Sequence, residues 1–199
     1  MYNLQDNSIK SEGGKAIFPL GISENNELTS VEKGQSSNGN FFVKFTFTND
    51  ATGATVSHFE WEIDAEREGQ EKAAKKFKSQ VTRVKHIMTK FVDESQLPVA
   101  NSFSEFADKI VATLAGKTEG KKFRIKTTYT WNDFVGIPAY VPFIEDMGVS
   151  QSKLRITDFD KMEKEGAEAE ADVAATLTPN PAFGAPAANA TQGDANLPF

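Results

Sequence analysis

Apolar and polar positions along this chain follow two different periods, and the change of period marks the elements. Residues 15–32 alternate loosely, with Ile17, Phe18, Leu20, Ile22, Leu28 and Val31 apolar, which predicts one or two strands broken near Asn25-Asn26. The polar cluster 35–40 is a turn. Residues 41–48, Phe-Phe-Val-Lys-Phe-Thr-Phe-Thr, form the strongest strand signal in the chain, aromatic and β-branched with a period of two. Residues 49–53 turn the chain into a return strand over 55–63. Phe59, Trp61 and Ile63 fall on one side of that strand, and His58, Glu60 and Glu62 on the other. The apolar side is the expected core side, which assigns Phe45, Phe47, Phe59 and Trp61 to the interior.

The period then lengthens. Ala74, Phe77, Val81, Val84, Met88 and Phe91 recur every three or four residues, the stripe of an amphipathic helix over about 66–92. A second helix starts at Ser102, where Ser-x-x-Glu (Ser102, Glu105) is a capping box, and ends near Gly116. Alternation returns over 122–131, with Phe123, Ile125, Thr127, Tyr129 and Trp131 on one face and Lys122, Arg124 and Lys126 on the other. Residues 139–144 read as a last strand, placed at an edge or bulge by Pro138 and Pro142. Leu154 and Ile156 suggest a short closing strand. Beyond about residue 163 periodicity disappears, and Pro179, Pro181, Pro186 and Pro198 stand among Ala and Asn. Such a segment buries too little apolar area to offset its ordering entropy. The expected organisation is a flexible N-terminus (1–14), one β-rich domain with a helical insertion (15–157) and a disordered tail (158–199).

Charge separates the same two parts. The 199 residues hold 22 Lys+Arg and 28 Asp+Glu, a net of -6; the segment from Asp158 contributes two and eight of these, leaving 20 and 20 before it. The body is neutral and the tail carries the negative excess. Cysteine is absent, which removes disulfides and thiolate chemistry and fits a reducing cytoplasm. No signal peptide is visible, and no apolar run approaches the roughly 20 residues of a membrane span, so no membrane partner is expected.

Chemistry-bearing motifs are sparse. The two histidines, His58 and His86, sit in no recognisable constellation, and phosphate-binding or zinc-hydrolase motifs are absent. Glu60, Glu62 and Asp64 alternate with apolar residues, and with Asp133 they are the carboxylates a metal-dependent nuclease would use. A solvated strand face is the commoner origin of such a row. No cofactor is expected, and the chain reads as non-catalytic. The better-supported arrangement is a groove for a single nucleic-acid strand, which needs cations for phosphates and flat rings for bases. Lys44, Lys122, Arg124 and Lys126 are its candidate phosphate contacts. Phe42, Trp131 and Tyr140 are its candidate stacking rings. Seven cations between Lys72 and Lys90 on the first helix form a weaker basic signal, since solvated helix faces are often cationic.

Three strands, a helical segment, two strands and a tail suit an OB-fold-like five-stranded barrel with two helices between strands 3 and 4. The last residues, Asp194 followed by Leu197-Pro198-Phe199, resemble the tip of bacterial single-stranded-DNA-binding proteins, an acidic run followed by Ile-Pro-Phe. Phage proteins of the same role commonly place an acidic tail with a terminal Phe after an OB-fold, and the chain is most similar to these. Here most of the acids lie further back, at 158–172, and Asp194 stands alone near the end. The resemblance implies sequence-independent coating of single-stranded DNA in replication, recombination and repair. It also implies recruitment of replication or recombination proteins through Asp194, Leu197, Pro198 and Phe199, in the host cytoplasm and with a possible homo-oligomer. The tail acids would compete with DNA for the same cations. The alternative is a phage structural or assembly protein with a β-rich body, which would need no basic groove.

Overall fold

A computed structural model describes residues 16–164. The tail residues Asp194, Leu197, Pro198 and Phe199 lie outside the described residues. Among the described residues six strands form one antiparallel sheet: β1 (Gly21–Gln35), β2 (Phe41–Asn49), β3 (Thr55–Trp61), β4 (Phe123–Tyr129), β5 (Val135–Gly136) and β6 (Ile144–Asp146). Between β3 and β4 come three helices, α1 (Ala65–Glu68), α2 (Gln70–Met88) and α3 (Phe103–Leu114), with a 3-10 turn at Glu94–Gln96. The order across the sheet is β3-β2-β1-β4-β5, and β6 pairs with β4. β5 also approaches β3, but no ladder joins the two among the described residues.

β1 is a single long strand where the sequence suggests a break. Its pairing slips twice, between Leu28 and Ser30 against β2 and between Ser23 and Asn26 against β4. Asn25 takes φ 57 there, a left-handed conformation that Asn tolerates better than most residues. The side chain of Asn26, fully buried, donates to the carbonyls of Ser23 (2.9 Å) and Phe123 (3.1 Å) and accepts from Asn49 Nδ2 (2.9 Å). The bulge lets β1 serve two partners, β4 along its first part and β2 along the rest, while leaving no buried polar group open.

The interior combines Leu28, Val43, Phe45 and Phe47 of the sheet with Val84, Ile87 and Met88 of α2 and Ala107, Ile110 and Leu114 of α3. Phe123, Ile125, Phe143 and Ile144 extend it. Each of the larger side chains among them contributes about 1.5–3 kcal/mol when fully removed from water. The single helix expected over 66–92 is two. Gly69 interrupts it at φ 81, ψ 146, a region almost confined to glycine. Asp64 caps α1 by accepting from the amides of Glu66 and Arg67. α3 begins as its capping box predicts, with Ser102 accepting from the Glu105 amide (3.2 Å).

The expected stripe on α2 holds only toward its C-terminal end. Ala73 and Gln80 point inward, whereas Phe77 and Val81 are exposed along a cleft shared with Phe103 and Phe106. The strand expected over 139–144 is displaced to Ile144–Asp146, and 154–156 form no strand.

The expected boundary at 157/158 falls inside a packed segment. Leu154 and Asp160 are buried. Asp160 accepts from the Thr157 amide (2.8 Å) and lies 3.2 Å from Lys126 Nζ, and the Lys161 carbonyl accepts from the Tyr129 amide (2.8 Å). A chain ending at Gln151 loses Asp160, the partner of Lys126, together with the segment that covers that lysine, and it loses the buried Leu154. It is expected to be less stable than a chain ending at Lys164 by about 1.5–3 kcal/mol, the burial of one large apolar side chain, read from urea denaturation midpoints; equal midpoints contradict the clamp.

Candidate nucleic-acid interface

On β2, alternation sends Val43, Phe45 and Phe47 inward and leaves Phe42, Lys44 and Thr46 outward. The β2–β3 register sets Phe42 opposite Trp61, Lys44 opposite Phe59 and Thr46 opposite Ser57. Residues directly opposite in a ladder share a face of the sheet, so Phe59 and Trp61 stand outside with Phe42. They are 41% and 44% exposed. This corrects the expectation that both are core residues: the inward face of β3 carries Val56, His58 and Glu60.

The three rings form one continuous platform. Centroids lie 4.8 Å apart for Phe42–Trp61, 5.5 Å for Phe42–Phe59 and 6.1 Å for Phe59–Trp61, the last pair inclined by only 17°. Gly34 of β1 pairs with Phe42, and a Cβ there would come within 2.3 Å of the Phe42 ring. The bare glycine backbone is what allows Phe42 to lie over the sheet beside its two neighbours. Lys44 borders the rings, with its Nζ 3.8 Å from Glu32 and its side chain partly exposed.

The inversion of β3 has its cause beneath the sheet. Arg83 of α2 grips Glu60 with two bonds, Nε to Oε1 (2.6 Å) and Nη2 to Oε2 (2.7 Å). His58 Nε2 lies 2.8 Å from Glu60 Oε1, and the nitrogen must donate because the carboxylate only accepts. Arg83 also reaches the Ala139 carbonyl (3.1 Å), and Gln80 donates to the Trp61 carbonyl (2.7 Å). Burial pushes the Glu60 carboxyl up, and the bonds from Arg83 and His58 more than reverse this, leaving it below the usual carboxylate range. A satisfied buried ion network therefore takes the inward positions, and the rings take the outward ones.

No family model matches this chain, and no curated protein matches it.

The other residues singled out in the sequence are dispersed. Lys122 binds Glu27 (2.5 Å) and Asp50 (2.8 Å). Asp50 sits in the β2–β3 turn, eight residues from Phe42, about 26 Å along an extended strand. Arg124 pairs with Glu24 (2.9 Å) and donates to the Val149 carbonyl (3.0 Å). Lys126, expected on a solvent face, is 2% exposed and bound to Asp160 and Tyr140. A lysine in that position reaches no phosphate. The two faces of β4 are as alternation assigns them, with Phe123, Ile125 and Thr127 fully buried; Lys126 is buried because the segment around Arg155 and Asp160 covers the polar side there.

Tyr140 keeps an exposed ring while its hydroxyl donates to Asp160. Trp131 is 85% exposed in the β4–β5 connection, with exposed Phe134 three residues on. The carboxylates considered for metal chemistry have other duties: Glu60 is held by Arg83, Asp64 caps α1 and Asp133 pairs with Lys161 (2.7 Å). Among the described residues no three His, Asp or Glu side chains gather where they could hold a metal ion. No helix among them is long and apolar enough to cross a membrane.

Phe59 and Trp61 are the rings that local hydropathy places on the wrong side. One signal in the chain points the other way: Phe42 alternates outward, and the five-residue turn at 50–54 fixes which residues of β3 face it.

Proposed function

We propose that this protein binds single-stranded DNA without sequence preference, through bases laid on the Phe42, Phe59 and Trp61 platform and phosphates drawn to Lys44, and that it catalyses no reaction. The observation that carries this reading is the platform itself. Three contiguous rings stand on an outward sheet face, two of them on the strand whose inward face is held by the Glu60–Arg83 network, and core packing does not account for their exposure. Unstacked bases offer flat apolar faces to such rings, and stacking tolerates every base.

The strand order supports an OB-fold-like barrel in which β5 and β6 together stand for the interrupted fifth strand. β1 pairs with both β2 and β4, the helices intervene between β3 and β4, and β5 approaches β3. In that fold the face of strands 2 and 3 and the loops beside it bind oligonucleotides, which is the face bearing the platform. Trp131 belongs to the corresponding β4–β5 loop. Together with the terminal Leu-Pro-Phe, this favours a phage-type single-stranded-DNA-binding protein of the cytoplasm. Its tail would recruit replication or recombination proteins.

A mobility shift with an oligothymidine strand and with a duplex of equal length tests the reading. Binding is expected to favour the single strand and to weaken with salt, log affinity falling by about 0.7 per phosphate contact for each log unit of salt. Equal affinity for duplex, or an affinity indifferent to salt, rejects it.

A further inference from the structure

Away from the platform, a second groove joins a ring to cations with no carboxylate in its lining. It lies between α2 and the segment before β6, has a volume of about 370 Å³, and is lined by Lys75, Lys78, Ser79, Arg83, Ala139 and Tyr140 with no carboxylate. Lys78 makes no ion pair among the described residues. Lys75 pairs only with Glu71, one helical turn away (2.7 Å), and both side chains are largely exposed. An exposed pair of this kind is worth little in water, so a phosphate can displace it. Arg83 is committed to Glu60 and forms the groove wall.

Tyr140 is fixed. Its hydroxyl is shared by Asp160 and Lys126, and Lys126 Nζ lies 4.4 Å from its ring centroid. The ring cannot swing away, and part of it remains open to the groove.

The neighbouring groove beside Trp61 differs in charge. It holds about 390 Å³ and sets Glu62, Asp64 and Glu68 against Arg67 and Lys76. Lys76 and Lys72 already neutralise Glu68, whose carboxyl they hold down to about 2. This groove therefore offers phosphates no excess of cation. The two grooves meet at Ser79 and Arg83, which line both. A strand leaving the platform past Trp61 thus passes a stretch with one more carboxylate than cation before reaching the cationic one.

We infer that the α2–Tyr140 groove is a second contact zone for the same DNA strand, where Lys75 and Lys78 neutralise two backbone phosphates and Tyr140 stacks one base. This rests on the single-strand-binding reading above. Its consequence is a length dependence. A short oligonucleotide engages the platform alone, and a longer one engages both zones.

The test is the affinity of the full chain for oligothymidines of about 4 and about 16 nucleotides, which span the site sizes of single OB-folds. The variant is Lys75→Glu with Lys78→Glu. Its control is Lys117→Glu with Lys153→Glu, which changes the net charge equally at exposed lysines that do not line the groove. For the longer strand the variant is expected to bind at least about tenfold more weakly. Its log–log salt slope should be shallower by about 1.4, the contribution of two phosphates. For the shorter strand it should stay within about twofold of the unmodified protein. Equal losses at both lengths, or a loss no larger than the control's, overturn the second zone. If Phe59→Ala with Trp61→Ala abolishes binding while the lysine pair has no effect, the platform stands and the second zone falls. If the unmodified chain binds neither strand, both readings fall together.

Discussion

Trp61→Ala is expected to lower affinity for an oligothymidine strand by about 5- to 150-fold, the equivalent of roughly 1–3 kcal/mol for one stacked base. The chain has two tryptophans, so fluorescence assigns the effect. Quenching by a homopolymer strand should persist in Trp131→Phe and largely vanish in Trp61→Phe. The reverse pattern would move the bases to the β4–β5 loop and remove the case for the platform. Phe59→Ala should act in the same direction, since its ring lies nearly parallel to that of Trp61. Gly34→Ala is a subtler probe. It leaves every ring in place chemically but drives a methyl group into the seat of Phe42. It should weaken binding without removing an aromatic residue, the outcome that a seated Phe42 predicts. Unchanged affinity in Gly34→Ala would mean that the arrangement of the rings is immaterial.

Arg83→Leu carries the largest expected cost to folding, about 3–5 kcal/mol, because it leaves the Glu60 carboxylate buried without its main partner. The double change Arg83→Leu with Glu60→Leu removes both charges and should recover much of that loss, which separates an uncompensated charge from lost packing. Urea denaturation read by circular dichroism measures both. A single variant as stable as the parent would show that the network does not hold β3 in its inverted orientation.

The same network sets the response to acid. Glu60 and Asp160 both have folded-state values below the ordinary carboxylate range; burial raises each, and hydrogen bonding from Arg83 and His58, or from Tyr140, Thr157 and Lys126, outweighs it. A depressed carboxyl contributes stability that is present above its unfolded value and lost as pH falls through its folded one. His86 acts at higher pH. Burial, with Lys90 nearby, lowers it from 6.5 to about 4, so the unfolded chain takes up its proton first. Stability should begin to decline below about pH 6.5 through His86 and fall more steeply below the ordinary carboxylate range. His86→Leu should flatten the upper part of that curve and leave the lower part intact.

Much of the fold is legible in the pattern of residues. The period of two over 41–48 is enough to place Phe45 and Phe47 inside and Phe42 and Lys44 outside, because a half-buried strand has one dominant apolar side. Ser102 and Glu105 mark the start of α3, because the capping bonds are local and span three residues. Composition alone separates a neutral body from an acidic tail. Each of these depends on neighbours in sequence, which is why the chain reveals them unaided.

The facing of β3 and the covering of β4 depend on residues far away. His58 and Glu60 are polar and Phe59 and Trp61 are not, so local hydropathy points the strand the wrong way round. Arg83 and Gln80, about 20 residues further on, reverse it by satisfying the buried carboxylate. Lys126 reads as a surface cation until Asp160, 34 residues away, arrives to cover and neutralise it. A local pattern measures the average cost of burying a side chain. Only the fold supplies the particular partner that cancels that cost, and here such partners decide which rings and which cations remain on the surface to meet another molecule.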